Sequence, residues 1–462
     1  MPLGFHSKTQ VRLRLNKHHQ VKKSLKYSVL DGSAWAAMMG LTQNYMTPFA
    51  LELKATTSQI GLLSSIPALL TAIAQLVSPN LLERAGTRKG LILPMVFLNA
   101  LMFIPIMLVP FIFQGDQVWW LLAFITVSTV AGAVINPAWG SMMADLVPMR
   151  LRGRFFGNRG VITGFTMLVF SFVASGVLTL FKGTNVFYGF VVLFSAALGF
   201  RMLSYLFLSK QYEPARKISK NNSPGMLTLI KQTGSTNLGR FILYIALIDF
   251  CVAISGPFFS VYMLRDLHFS YLQFFLVTFA SSVAMLACLN YWGKRADAAG
   301  NLKVIKITSM LMPIVPVLWL GSTNVIYLMA ANVVSGFAWS GYGLSAVNFV
   351  YDASEPSIRH KQLAVFNAMD GFAICIGFLL GGFLADKLPV LLGYRLHSIF
   401  TLSGCLRAVV VIVLLRRITE VRHVPGIPAW DLLKLNVSKE STLNLFKKPF
   451  WKARKSPEEP TE

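Results

Sequence analysis

The chain has 462 residues, of which 54% are hydrophobic and only 13% charged, yet its formal net charge is +24. A soluble domain of this size would be hard to solvate with so few charges, so the charges must be gathered in certain segments and the apolar stretches placed out of water. Nucleic-acid binding, the first thought for so basic a chain, needs a basic face on a folded module, and a run of apolar segments divided by basic loops does not supply one.

About twelve apolar runs follow in chain order, near 28–51, 58–82, 90–113, 118–143, 155–181, 186–208, 241–264, 271–292, 304–320, 323–350, 363–385 and 390–415. Each is long enough to cross a ~30 Å hydrocarbon core as a helix rising ~1.5 Å per residue. Residues 1–27 precede them as a basic tail, and the first run is too long for the h-region of a cleaved signal, so it reads as a retained helix. Six runs make a bundle over 28–209. A polar linker at 210–240, with Pro214, Pro224, Gly225 and Gly234, separates it from a second bundle over 241–416, and a basic tail fills 417–462. For both tails, a helix on the membrane surface and disorder stand as alternatives.

Most of the 43 Lys and Arg fall on the side of the tails and linker, whereas Lys54, Lys182, Arg265, Lys387 and Arg395 face the other way. That bias is the positive-inside rule, which places both termini in the cytoplasm; the expected location is the cell (plasma or inner) membrane. The excess charge also attracts anionic lipid head groups. Cys251, Cys288, Cys375 and Cys405 lie inside apolar runs without CxxC spacing, so neither a disulfide framework nor a metal site is expected, and no cofactor is implied.

The second half echoes the first. Glu83, Arg84, Ala85 and Gly86 follow the second run, and 214 residues later Asp297, Ala298, Ala299 and Gly300 follow the eighth. Asp145 and Pro148 with Arg150, Arg152 and Arg154 after the fourth run match Asp352 and Pro356 with Arg359 and Lys361 after the tenth. Arg201 and Arg407 also correspond, each nine residues before a basic residue at the membrane edge. Two similar bundles in a membrane point to a solute path between them.

On these residues the chain resembles the major facilitator superfamily of secondary transporters. Its loop motif, G-x-x-x-D-R-x-G-R-[RK], is matched by Glu83, Arg84, Gly86, Arg88 and Lys89, with Pro79 and Thr87 as departures, and more weakly by Gly293, Asp297, Gly300 and Lys303. The resemblance implies an all-α integral membrane protein of twelve transmembrane helices in two pseudo-symmetric six-helix bundles. It implies a transporter, not an enzyme, that moves a small-molecule solute across the lipid bilayer as a monomer. Within it, the carboxylates at the helix ends are expected to form a cytoplasmic gate, Glu83 with Arg150, Arg152 or Arg154 and Asp297 with Arg359 or Lys361. The plainer alternative is a solvated loop, where an isolated ion pair is worth only ~0–1 kcal/mol.

Charges inside the apolar runs are the next signal, since each costs at least ~2.5 kcal/mol at mid-depth. Arg201 and Arg407 lie ~13 Å from the membrane edge by helical rise, so each should find a partner within its own half. Asp249, which faces Ala36 in the repeat, and Asp370, which faces Arg159, are unmatched and are the candidates for proton or substrate coupling; structural pairing is the alternative for each. Arg159 and Asp370 are expected to meet across the central cavity, and Asp31 reads as interfacial. The family architecture implies that spans one, four, seven and ten line that cavity, with Asn44, Asn136, Tyr262, Trp339 and Tyr342 on its wall.

No H-E-x-x-H, P-loop or nucleophile elbow occurs, which removes the usual machinery of hydrolysis and ATP-driven transport. Span five has Gly157, Gly160, Gly164 and Gly176 without the proline of the drug/proton antiporter signature. The expected function is secondary active transport by alternating access with ion coupling. Drug efflux on the same fold, or a lipid translocase or sensor without ion coupling, is the alternative.

Overall fold

The computed structural model describes residues 5–147, 152–214, 236–355 and 359–422, without the side chains of 5–19, 79, 152–154 and 359–361. Most of the expected linker, nearly all of the C-terminal tail and Arg150 lie outside these residues. The first half contains α1 (Phe5–Thr42), α2 (Met46–Glu52), α3 (Thr57–Ala85), α4 (Arg88–Leu101), α5 (Phe103–Ile112), α6 (Gln117–Leu146), α7 (Arg152–Phe181) and α8 (Val186–Ser209). The second contains α9 (Asn237–Ser255), α10 (Phe258–Val261) with a π turn at Tyr262–Asp266, α11 (Tyr271–Ala299), α12 (Asn301–Leu311), α13 (Ile314–Leu318), α14 (Val325–Ala353), α15 (Arg359–Ala385) and α16 (Arg395–Leu414). Among the described residues there is no β-strand, only an isolated bridge between Leu391 and Tyr394.

Eleven helical spans are long and apolar enough to cross a membrane, with α4 and α5, α9 with its continuation to Asp266, and α12 and α13 each forming one broken crossing. Backbone hydrogen bonds closed within each helix are what allow them to sit in hydrocarbon. The remaining crossing is α1 with α2. Helix α1 begins at Phe5, well before the expected start at 28, and its extension is packed: Leu25 is buried against Met142, Met143, Leu146 and Phe155.

The duplication extends to helix ends. Both α3 and α11 have 29 residues and open on a capping box, Thr56 with Gln59 and Ser270 with Gln273. Each box satisfies two otherwise orphan N–H groups. Both helices follow a residue with positive φ, Lys54 at 61° and His268 at 53°, and both end at a glycine with positive φ, Gly86 at 71° and Gly300 at 92°. A side chain at either glycine is strained, so the loop motif keeps its glycine in both copies.

Within the first half α1 packs on α7 and α8, and α6 on α3 and α4; within the second, α9 packs on α15 and α16, and α14 on α11 and α12. The halves meet through α3 against α15 and α7 against α11. Large apolar side chains such as Phe165, Leu180 and Ile326 remain 68%, 80% and 77% exposed on the outside, as a lipid-facing surface requires.

Candidate functional site

Helix α1 brings Asp31 into the centre of the first half. Ser204 on α8 donates to its Oδ1 at 2.6 Å, and the carboxylate is 4% exposed, so it is buried rather than interfacial. The physical reason is the length of α1, whose unbroken extension carries the helix start far from Asp31. Arg201 reaches the same cluster: Nη1 donates to Ser204 at 3.3 Å and Nε to Asn99 Oδ1 at 2.7 Å, while the Asn99 amide donates to Ser128 Oγ at 2.8 Å. Arg159 on α7 places Nη2 4.0 Å from Asp31 Oδ2, donates from Nε to the Ser28 carbonyl at 3.2 Å, and lies 4.5 Å above the Trp139 ring. The expected meeting of Arg159 with Asp370 is therefore corrected. Because α7 packs on α1, the nearer acid is on the adjacent helix of its own half.

A cavity of about 550 Å³ opens beside this cluster, and its lining comes entirely from the first half, between Asp31 and Leu208. Asn136 lies on the wall next to Pro137, with Gln43, Thr71 and Gln75 as further polar groups and Trp35, Trp139 and Phe103 as aromatic ones. Asn44, in the turn between α1 and α2, is not on the wall, whereas its neighbour Gln43 is. Both residues sit in the turn after α1 ends at Thr42, so a helical face read from the sequence does not fix which of the two side chains points inward.

Asp249 on α9 and Asp370 on α15 lie close enough to interact in the second half, where the two helices pack together. The Tyr342 hydroxyl donates to Asp249 Oδ1 at 3.5 Å, and Asp370 Oδ1 is buried without a hydrogen-bond partner among the described residues. Arg407 takes neutral partners: Nη2 donates to Ser255 Oγ at 2.8 Å, Nε to Ser403 Oγ at 3.1 Å and Nη1 to the Met312 carbonyl at 3.1 Å. That carbonyl lacks a helical partner because the residue four on, Pro316, has no N–H to donate. Both membrane arginines thus find their hydrogen-bond partners within their own halves. Two expected wall residues are buried instead. Tyr262 is 0% exposed and bonded to His397 Nε2 at 2.8 Å, and Tyr342 is 2% exposed. Trp339 is half-buried, edge-on to Tyr342.

The hydrogen bonds between the halves, among the described residues, all lie on the face with the shortest loops. Ser58 donates to Asp386 at 3.0 Å, Arg265 to Thr57 at 2.8 Å and Tyr271 to Glu52 at 2.6 Å. Under them α3 and α15 cross so closely that a methyl added at Gly61 would stand 2.7 Å from the Gly382 Cα. Farther in, a methyl at Gly371 would stand 2.7 Å from the Ala72 Cβ.

On the opposite, basic face the charges pair within each half. Arg88 meets Asp145 at 2.5 Å, and Glu213 accepts from the backbone N–H groups of Arg88 and Lys89 at the start of α4. In the second half Asp352 meets Arg422 at 2.6 Å and accepts from Asn301, while Glu420 accepts from the Leu302 N–H at the start of α12. Carboxylates at helix N-termini complement the helix dipole. The hydrogen bond to Asp352 raises the Arg422 pKa above its ordinary value, against a smaller opposing effect of burial. Glu83 and Arg84 are exposed, and no ion pair of theirs is described. Asp297, also exposed, lies 3.6 Å from Arg422. Gly293 faces Leu344. The side chains of Arg152, Arg154, Arg359 and Lys361 lie outside the description. Arg88, Asp145, Glu213 and their counterparts are the residues that sequence reasoning missed as a site. The Asp145 and Asp352 echo was the available signal.

Known structures of this shape include the nucleoside transporter NupG, at 13% identity and TM-score 0.64 over 86% of this chain and 98% of that one. The D-xylose–proton symporter matches at 13% and 0.64 over 87% and 98%. A bacterial homolog of the human lysosomal transporter Spinster, inward-facing and occupied, matches at 13% and 0.60 over 86% and 96%. Identities this low establish the fold alone. No curated protein matches the chain by sequence. The Major Facilitator Superfamily profile, however, matches residues 30–248 and again 241–457, nearly the whole chain and once per half. With its two bundles of membrane-long helices and a family profile matched over nearly its whole length, this multi-pass membrane transporter belongs to the Major Facilitator Superfamily.

Proposed function

We propose that the protein is a secondary active transporter that moves a small solute by alternating access and couples it to protons through Asp249 and Asp370. The observation that carries this reading is the contact between those two carboxyl groups in the membrane core. Two carboxylates held close together disfavour being charged at once, so the charge of one strengthens the hold of the other on a proton. Such a pair can gain or release a proton as its surroundings change. Tyr342 lies against one member, and the arginine of the same half is engaged by neutral groups. One fold relative is named as a proton symporter, which agrees with this reading.

In this reading the basic face is cytoplasmic, the membrane is the plasma or inner membrane, and both termini lie inside. The conformer, closed on the short-loop face, is inward-facing. Glu83, Arg84, Gly86 and Arg152, with Gly293, Asp297, Gly300 and Arg359, form the gate that engages when the basic face closes. The bonds of Arg88, Asp145 and Glu213, and those of Asp352, Arg422 and Glu420, brace each half through that movement.

Proteoliposomes containing the protein, Asp249→Asn and Asp370→Asn test the coupling by solute-dependent proton flux. Each substitution is expected to lower that flux at least ~10-fold, the loss typical of removing a positioned proton-transfer group. Unchanged flux in both variants would sink the coupling.

A further inference from the structure

The charges on the cavity wall do not balance. Arg159, Arg201 and Asp31 are the charged residues of the lining, two cations against one anion. Arg201 is held by Asn99 and Ser204, and Asp31 accepts from Ser204. Arg159 is held less completely. Its Nε has the Ser28 carbonyl, but neither terminal nitrogen has an acceptor within hydrogen-bond distance among the described residues, and Asp31 stands off at 4.0 Å. A charge-assisted N–H···O bond is ~2.7–2.9 Å.

The Trp139 ring lies under the Arg159 guanidinium, 4.5 Å from its central carbon. The Trp139 indole N–H is itself buried without a partner among the described residues. Donors and positive charge are thus in surplus at one end of the cavity. Trp35, Met38 and Phe103 give the wall an apolar part. A guanidinium edge with two unbonded nitrogens matches the two oxygens of a carboxylate. A dianion would overshoot the single surplus charge.

We infer that the cavity takes a small organic monoanion, held by its carboxylate on Arg159 with an apolar or aromatic remainder against Trp35 and Phe103. This rests on the cavity being the solute site of the transporter, and it is independent of how transport is coupled.

The test is binding to the purified full-length protein in detergent, read by calorimetry and by thermal unfolding. The probes are matched acid and amide pairs, benzoate with benzamide, nicotinate with nicotinamide and lactate with lactamide, beside adenosine and xylose. At least one acid is expected to bind, with its amide at least about tenfold weaker, because the amide cannot make the charge-assisted pair. Arg159→Gln should erase the preference and Arg159→Lys keep part of it, with unliganded unfolding temperatures reporting that both variants fold. Binding of no acid, equal binding of acid and amide, or a preference that survives Arg159→Gln in a folded protein overturns the inference. Failure of the proton-flux test above would leave these binding outcomes unchanged, so the two readings fail separately.

Discussion

Arg88 and Asp145 form an unequal pair: the arginine side chain is 5% exposed and the aspartate 46%. Arg88 Nε and Nη1 already lack partners among the described residues, so losing Asp145 strands a buried cation, whereas losing Arg88 leaves a carboxylate that water can reach. Asp145→Asn is expected to destabilise by about 1–3 kcal/mol, with Arg88→Met costing less. Thermal unfolding of both variants in detergent checks this, and equal losses would contradict it. At this scale the sequence was legible where it broke its own symmetry. Asp249 and Asp370 stood out because the other half has no acid in their places, although their mutual contact, across 121 residues, follows only from the packing of α9 on α15. Asp31 was misread because a basic, polar stretch looks like a tail even when it continues a helix.

Helices α3 and α15 carry the closed face, and their crossing depends on side chains that are missing. Gly61→Val puts bulk where a single methyl already comes within 2.7 Å of opposing backbone. Overpacking of this kind typically costs ~1–3 kcal/mol, enough to change a two-state ratio about tenfold or more. The closed short-loop face should then open. Removing the gate charges, Glu83→Gln with Asp297→Asn, should act in the opposite sense by weakening closure of the basic face. Both are read by thiol labelling from the short-loop side at Gln43→Cys in a protein whose native cysteines are replaced. Faster labelling is expected for the first and slower for the second, and the reverse order would refute the gate assignment. The helices themselves were readable almost span by span, since hydrocarbon thickness sets their length. Expected ends at 292 and 350 fell short of Ala299 and Ala353 because charged last turns continue the helix beyond the apolar core. The breaks at Met102 and Met312 were not readable, because prolines near them also occur inside unbroken helices, such as Pro137 in α6.

The two halves of the molecule have diverged around a shared frame. Capping boxes, glycine ends and the braces of the basic face recur in both, while the described cavity wall belongs to the first half and the carboxyl pair to the second. On the proposed reading, one proton shared by Asp249 and Asp370 lets Arg407 bring the core of the second half to neutrality, while Asp31 against Arg159 and Arg201 leaves the first half one positive charge. That remainder makes the protein an electrical device. When the empty carrier turns round, it drags a charge through part of the membrane field, a movement worth ~2.3 kcal/mol per 100 mV for a full crossing. With a monoanion aboard and a single proton on the pair the same movement is silent, whereas a second proton taken up with the solute restores the charge. Transient currents recorded from proteoliposomes on a solid-supported membrane should therefore shrink as a bound acid saturates when the pair keeps its single proton, and persist when a second proton enters with the acid. Currents that grow with loading would assign the voltage-sensitive step to the loaded carrier instead.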